Sequence, residues 1–203
     1  MASASWHSMS DLKMKKLISI ALFVTFSATS FSAVSAGEAP IVTKVLDDAV
    51  FVITPLGQSQ VLHVSHPVSK DDISYEDLNF DGYMDIKVFR SAGNVEKFYD
   101  VYLFDSTTKR YELSKDFSNV PCVAADPKTR QVIGACFHTS ACENWIERYS
   151  VDRLNRLHLR SRQGTYCDPS TGDAFSYIDL FRNGKRISSK STQLYNDGES
   201  NRQ

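Results

Sequence analysis

Nowhere in the 203 residues is there an apolar run long enough to cross a bilayer, which takes about 20 residues. The longest, Leu17–Phe26, is about half that length. The chain has no Cys-x-x-Cys pair, no His-Glu-x-x-His and no Gly-x-Ser-x-Gly. That excludes the commonest zinc, metalloprotease and serine-hydrolase signatures. No long stretch repeats its apolar residues at the helical period, which argues against a helical bundle. Charge of one sign is lacking too, with 23 Lys and Arg against 24 Asp and Glu. Nucleic acid and anionic membranes call for a concentrated positive field, and this balance points to neither.

What is present begins with an address. Met14 is followed by Lys15 and Lys16, then by the short apolar run, then by small residues ending Ala33-Val34-Ser35-Ala36. Positive, apolar and small blocks in that order are a signal peptide, with Val34 and Ala36 suiting the peptidase and cleavage expected after Ala36. No cysteine stands at the cleavage point, which argues against a lipoprotein. Residues 1–13 have no role in this reading; the competing one is a buried N-terminal helix. Removing residues 1–36 leaves 167, long enough for one domain with a real core. Setting aside Lys13, Lys15, Lys16 and Asp11 leaves 20 basic and 23 acidic residues. We expect a domain over 37–195 and a polar tail over 196–203.

All four cysteines, Cys122, Cys136, Cys142 and Cys167, fall in the exported part. An even count in an exported chain points to two disulfides, with irregularly spaced zinc ligation as the competitor. Alternating apolar residues and turn signals predict strands over 49–54, 60–64, 85–89, 97–104, 110–113, 131–137, 145–151, 156–160, 176–181 and from Arg186 onward. Asn183-Gly184 is the strongest hairpin dipeptide. The expected fold is all-β, a mainly antiparallel meander or sandwich with one short helix over Asp71–Asp77. A turn near Asp126–Lys128 would set Cys122 across from Cys136, and one near Asp152–Asn155 would set Cys142 close to Cys167. Cross-strand neighbours lie about 4.5–5.5 Å apart, within reach of a disulfide. Those are the pairings the hairpins favour among three.

One motif carries specific chemistry. Residues 77–85 read Asp-Leu-Asn-Phe-Asp-Gly-Tyr-Met-Asp. Oxygen ligands at alternate positions with a glycine at the sixth are what Ca2+ takes from a short loop. Asp77, Asn79, Asp81, the Tyr83 carbonyl and Asp85 are the candidate ligands. An EF-hand would need Glu at the twelfth position, where Val88 stands within a strand pattern. The alternative is an acidic turn before a strand; Mg2+ suits the site less, since it keeps more of its water.

Catalytic candidates are few. His63, His66, His138 and His158 are the exported histidines, and His63 and His158 sit in strand patterns. His138-Thr-Ser-Ala-Cys142 faintly resembles the Ser-x-Gly-Cys-x-Arg motif of L,D-transpeptidases. Ala141 replaces its glycine, Asn144 its arginine, and Glu143 supplies the wrong charge for a thiolate. An envelope enzyme using Cys142 and His138 is therefore the second reading, and a calcium-stabilised glycan-binding module the third.

The run DLNFDGYMDIKVF, the small-residue loop Ser91–Asn94 and the run YDVYLFD together carry a resemblance. It is firm over Tyr75–Tyr111 and general over the Tyr149–Leu159 hairpin. The chain resembles small bacterial periplasmic proteins with one FG-GAP-like calcium loop, similar to lysozyme inhibitors and to immunity proteins against secreted peptidoglycan-degrading effectors. The resemblance implies a periplasmic address, calcium at the five positions above, no catalysis, and a partner that is a peptidoglycan-acting enzyme or a secretion-system effector. Two segments could occlude such a partner: Ser91, Gly93 and Asn94, taken to lie beside the calcium loop, and Ser140, Glu143, Asn144 and Trp145 together with Tyr166.

Overall fold

The computed structural model describes residues 37, 39–93 and 95–194. The expected leader, the cleavage after Ala36, Asn94 and the tail over 196–203 lie outside the described residues. Among the described residues thirteen strands form three sheets, all of whose neighbouring strands are antiparallel and consecutive in sequence. The first holds β1 (Ile41–Leu46), β2 (Ala49–Ile53) and β3 (Ser59–His63). The second holds β4 (Ile73–Glu76), β5 (Asp85–Ala92), β6 (Lys97–Asp105) and β7 (Arg110–Leu113). The third runs from β8 (Val123–Asp126) through β9 (Gln131–His138), β10 (Asn144–Val151), β11 (Leu157–Cys167) and β12 (Ala174–Arg182) to β13 (Lys185–Gln193).

The four-stranded sheet is the middle layer, because β6 is apolar on both faces. Tyr102 and Phe104 join Val50, Val52, Leu62, Ile86 and Val88 in one core. Val101 and Leu103 point the other way and join Leu78, Phe117, Val123 and Val132 in a second. Each fully buried Val, Leu or Phe contributes about 1.5–3 kcal/mol, so these two cores hold the three sheets together.

Edge strands are satisfied by side chains from the adjoining sheet. Gln60 accepts from the Tyr111 N–H and donates to its carbonyl, both at 2.8 Å, doing for β7 what another strand would. On the other side, the Ala125 N–H of β8 donates to Glu76 at 2.8 Å, and Lys87 donates to the Val123 carbonyl at 3.2 Å. Glu76 and Lys87 are themselves paired at 2.6 Å. Unpaired edge groups invite aggregation, and here they weld the layers instead.

The expected helix over Asp71–Asp77 is corrected. Only a 3-10 turn, Lys70–Asp72, forms there, closed by the Ser69 N–H and hydroxyl on the Asp72 carboxylate at 2.8 and 2.7 Å. Ile73–Glu76 then pairs with β5 as a strand, the better use of Ile73 and Tyr75. Among the described residues the one α-helical turn is Lys115–Ser118, where Phe117 fills the second core. Strand β1 lacks a readable alternation because a bulge between Val42 and Lys44 shifts its register.

Candidate functional site

Asp77–Asp85 joins β4 to β5 as a loop wrapped around its own carboxylates. Asp77 accepts from the Asp81 and Gly82 N–H groups at 3.1 and 3.0 Å, and Asp81 from the Tyr83 N–H at 2.9 Å. Asn79 accepts from the Asp81 N–H at 3.2 Å. Gly82 takes φ 93°, the bend for which glycine is suited. Asp85 is wholly buried and takes the N–H groups of Leu78 and Phe104 at 2.8 and 2.9 Å, fastening the loop to β6.

Burial pushes the Asp85 carboxyl up to about 8, against the pull of those two N–H bonds and with the aid of the Asp81 and Asp77 charges. Burial likewise raises Asp77, and Asp81 adds to it. Among the described residues none of these three carboxylates has an ion-pair partner. Nor does any group of three or more His, Cys, Asp or Glu side chains among them come together closely enough to form a metal cluster. The donor set is nonetheless all oxygen, and its crowded negative charge is of the kind a hard divalent cation offsets.

The loop is anchored to the third sheet. Arg130, in the β8–β9 turn, donates to the Phe80 carbonyl at 2.8 Å and lies over its ring at 5.5 Å. Asn79 donates to Asn155, in the β10–β11 turn, at 3.3 Å. Phe80, Arg130 and Asn155 all have left-handed φ, at 63°, 50° and 56°. Three such residues in one junction mark backbone held by its surroundings. Ser91 and Gly93 are elsewhere. They lie at the far end of β5, about 20 Å along the strand from Asp85, so the expectation that they flank the calcium loop is corrected.

Both disulfides have the expected pairing. Cys122–Cys136 and Cys142–Cys167 have Cα separations of 5.9 and 5.8 Å. Asn144 pairs with Thr165 in β10 and β11, and continuing that register places Cys142 opposite Cys167. Cys122 also donates its N–H to the Lys97 carbonyl at 2.7 Å, tying the end of the β5–β6 hairpin to the third sheet.

Of the two candidate partner segments, the disulfide-bound loop borders a trough through Ala141 and Asn144, whereas Ser91 and Gly93 do not line it. The trough, of about 820 Å3, runs between Val95, after the Ser91–Asn94 segment, and Ala141 and Asn144 of the disulfide-bound loop. Across its floor, Ile146, Gln163, Ile178 and Lys190 form one cross-strand row and Asn144, Thr165, Ser176 and Thr192 the next. Val95, Ile146 and Ile178 are exposed along it. The other candidates divide. Ser140 accepts the Cys142 and Glu143 N–H groups at 3.2 and 3.0 Å, and Glu143 takes the Thr139 hydroxyl at 2.7 Å, so both shape the loop. By strand alternation Trp145 and Tyr166 point to the opposite face from Asn144. The Trp145 ring stacks on Phe137 at 5.4 Å and carries the Arg162 guanidinium 5.5 Å away.

Gly164 packs directly against Asn144 and Trp145 of β10, with no room for a side chain. A methyl group there would overlap the Asn144 carbonyl oxygen and come within 2.6 Å of Trp145 Cβ. Gly164→Ala is expected to destabilise the fold by about 1–3 kcal/mol and to part the strands under the trough. Urea denaturation checks it; an unchanged midpoint would show that the strands accommodate the methyl.

Comparison with protein-family models, curated proteins and solved structures finds no match.

Proposed function

We propose that this is a periplasmic inhibitor or immunity protein that occludes a peptidoglycan-acting enzyme, either a lysozyme-like hydrolase or a secretion-system effector. The trough supports this reading best. It sets Val95 and the Ala141–Asn144 loop, distant in sequence, on one surface where exposed Val95, Ile146 and Ile178 stand among polar residues, a mixture of the kind protein interfaces carry. Two disulfides suit an oxidising compartment, and among the described residues no helix is long and apolar enough to cross a membrane. Cys142 is bonded to Cys167, so the alternative of an envelope enzyme has no thiolate to use while that bond lasts.

Calcium fits the loop by the chemistry of its donors, and Asp77, Asn79, Asp81, the Tyr83 carbonyl and Asp85 would hold it. Bound there, the ion would neutralise the crowded carboxylates and stiffen the junction of the second and third sheets. Its role is structural, at a distance from the trough.

The test is inhibition. Purified protein should bind and inhibit a lysozyme-like enzyme or an effector toxin encoded beside its gene. Ile178→Asp, at the trough centre, should weaken binding by about thirtyfold or more, the loss of one interface anchor. Failure to bind any such enzyme would sink the reading; full inhibition by the variant would move the interface off the trough.

A further inference from the structure

The face of the third sheet opposite the trough is the same face that packs into the second core. Val132 and Tyr149, paired across β9 and β10, belong to that core. Farther along the sheet the face runs out past the core onto β11–β13, where a second cavity of about 490 Å3 opens. That size lies within the roughly 300–1,000 Å3 of small-ligand sites.

Arg162 and Asp179, opposite each other on β11 and β12, line its floor, and Glu147, opposite Arg162 on β10, stands next in that row outside the cavity. Glu147 is fully engaged, taking hydrogen bonds from Trp145 at 3.3 Å, from Arg162 at 2.7 Å and from the Tyr149 hydroxyl. Asp179 is not. It is 6 % exposed, and its Oδ2 accepts from Arg186 at 3.3 Å. Its Oδ1 has no partner among the described residues, although a buried carboxylate oxygen ordinarily has one. Arg186, which supplies that single contact, is 59 % exposed at its side chain.

The walls say what would fill the gap. Tyr177 meets Tyr166 at a tilt of 60° and has no stacked ring among the described residues, while Tyr166 is stacked on Phe175. An uncommitted aromatic ring stands beside carboxylate acceptors, guanidinium donors and the hydroxyls of Ser189 and Ser191. A cation would meet Arg162 and Arg186, and an anion would meet Asp179 and Glu143. A neutral ligand carrying both hydroxyl donors and acceptors, with an apolar face for the ring, suits every wall. We propose that this cavity binds a saccharide, with a hydroxyl donating to Asp179 Oδ1 and a pyranose face packed on Tyr177. The site opens on the face of the sheet opposite the trough, with Trp145, Thr165 and Tyr177 bordering both, and does not depend on the inhibitor reading.

Calorimetric titration of the purified protein tests it, with tri-N-acetylchitotriose and maltotriose as saccharides and L-argininamide as the cationic competitor. At least one trisaccharide should bind with a Kd of about 0.1–1 mM. Asp179→Ala should weaken it about tenfold or more, the loss of a bond to a charged acceptor. Tyr177→Ala, which leaves the buried carboxylate alone, should weaken it comparably. Ile178→Asp, whose side chain lies on the trough face, should leave saccharide binding unchanged, and Asp179→Ala should leave enzyme inhibition unchanged. No saccharide binding up to about 10 mM would overturn the proposal. So would binding indifferent to both cavity variants, or preferential binding of L-argininamide, which would make this a cation pocket.

Discussion

Asp85→Ala is expected to melt about 6–12 °C below the parent protein and to lose any response to calcium. The carboxylate is wholly buried and holds two backbone N–H groups, those of Leu78 and Phe104. Alanine leaves both donors without partners inside the protein, at a cost of about 1–3 kcal/mol each. Removing a carboxylate that burial already disfavours returns part of this, so the net loss is about 3 kcal/mol. For a domain of this size each kcal/mol moves the midpoint by about 2–4 °C. Asp85→Asn keeps one acceptor but turns an amide N–H2 toward a donor, and should fall between the two.

The calcium response separates the ion from the hydrogen bonds. Calcium at a hundredfold excess over its Kd would stabilise the parent by about 2.7 kcal/mol, and chelation would remove that gain. Asp81→Ala should abolish the response at a smaller loss of baseline stability, since Asp81 is exposed on the loop and accepts only from the Tyr83 N–H and the Asn79 side-chain amide. Identical melting of the parent with calcium and with chelator would leave the loop as an acidic turn. Because the loop abuts Arg130 and Asn155 rather than Ser91, Asp81→Ala should not disturb the trough.

Replacing Cys142 and Cys167 together by serine should cost about 3.5 kcal/mol, the chain entropy released by opening a loop with a 25-residue separation. The melting midpoint should fall about 7–14 °C. The 14-residue separation of Cys122–Cys136 predicts a slightly smaller loss, about 3.0 kcal/mol. The double variant should keep its fold, because Thr165 still donates to the Cys142 carbonyl at 2.7 Å and Thr139 still closes on Glu143. Its loop would nonetheless be looser, so inhibition should decline along with stability. Melting within about 2 °C of the parent would show that the hairpin register alone holds the two segments together.

Much of this molecule was legible from local chemistry. The β runs, the Asn183-Gly184 turn and the cysteine pairing depend on residues near one another in sequence or joined by a single hairpin. In such segments alternation and turn type set the register. The glycine bend at Gly82 was legible for the same reason. Where neighbours from other elements intervene, the reading failed. Ile73–Glu76 looks helical beside its acidic flank, and becomes a strand because β5 offers it a partner. The end of β5 was placed beside the calcium loop because the two are close in sequence, yet an extended strand separates them.

The sequence alone carried the all-β meander, the two hairpin-spanned disulfides and the oxygen-rich loop, each a matter of composition, period or short range. Only the tertiary structure decided that β6 is buried on both faces, that the loop braces the third sheet through Phe80 and Asn79, and that Val95 meets Ala141 and Asn144 across one trough. It alone left Asp179 buried with an oxygen that has no partner among the described residues. The physical reason is that period-2 alternation tells which residues share a face but not what that face meets. What covers a face depends on how separate sheets stack, and stacking is settled by the combined burial of residues far apart in the chain.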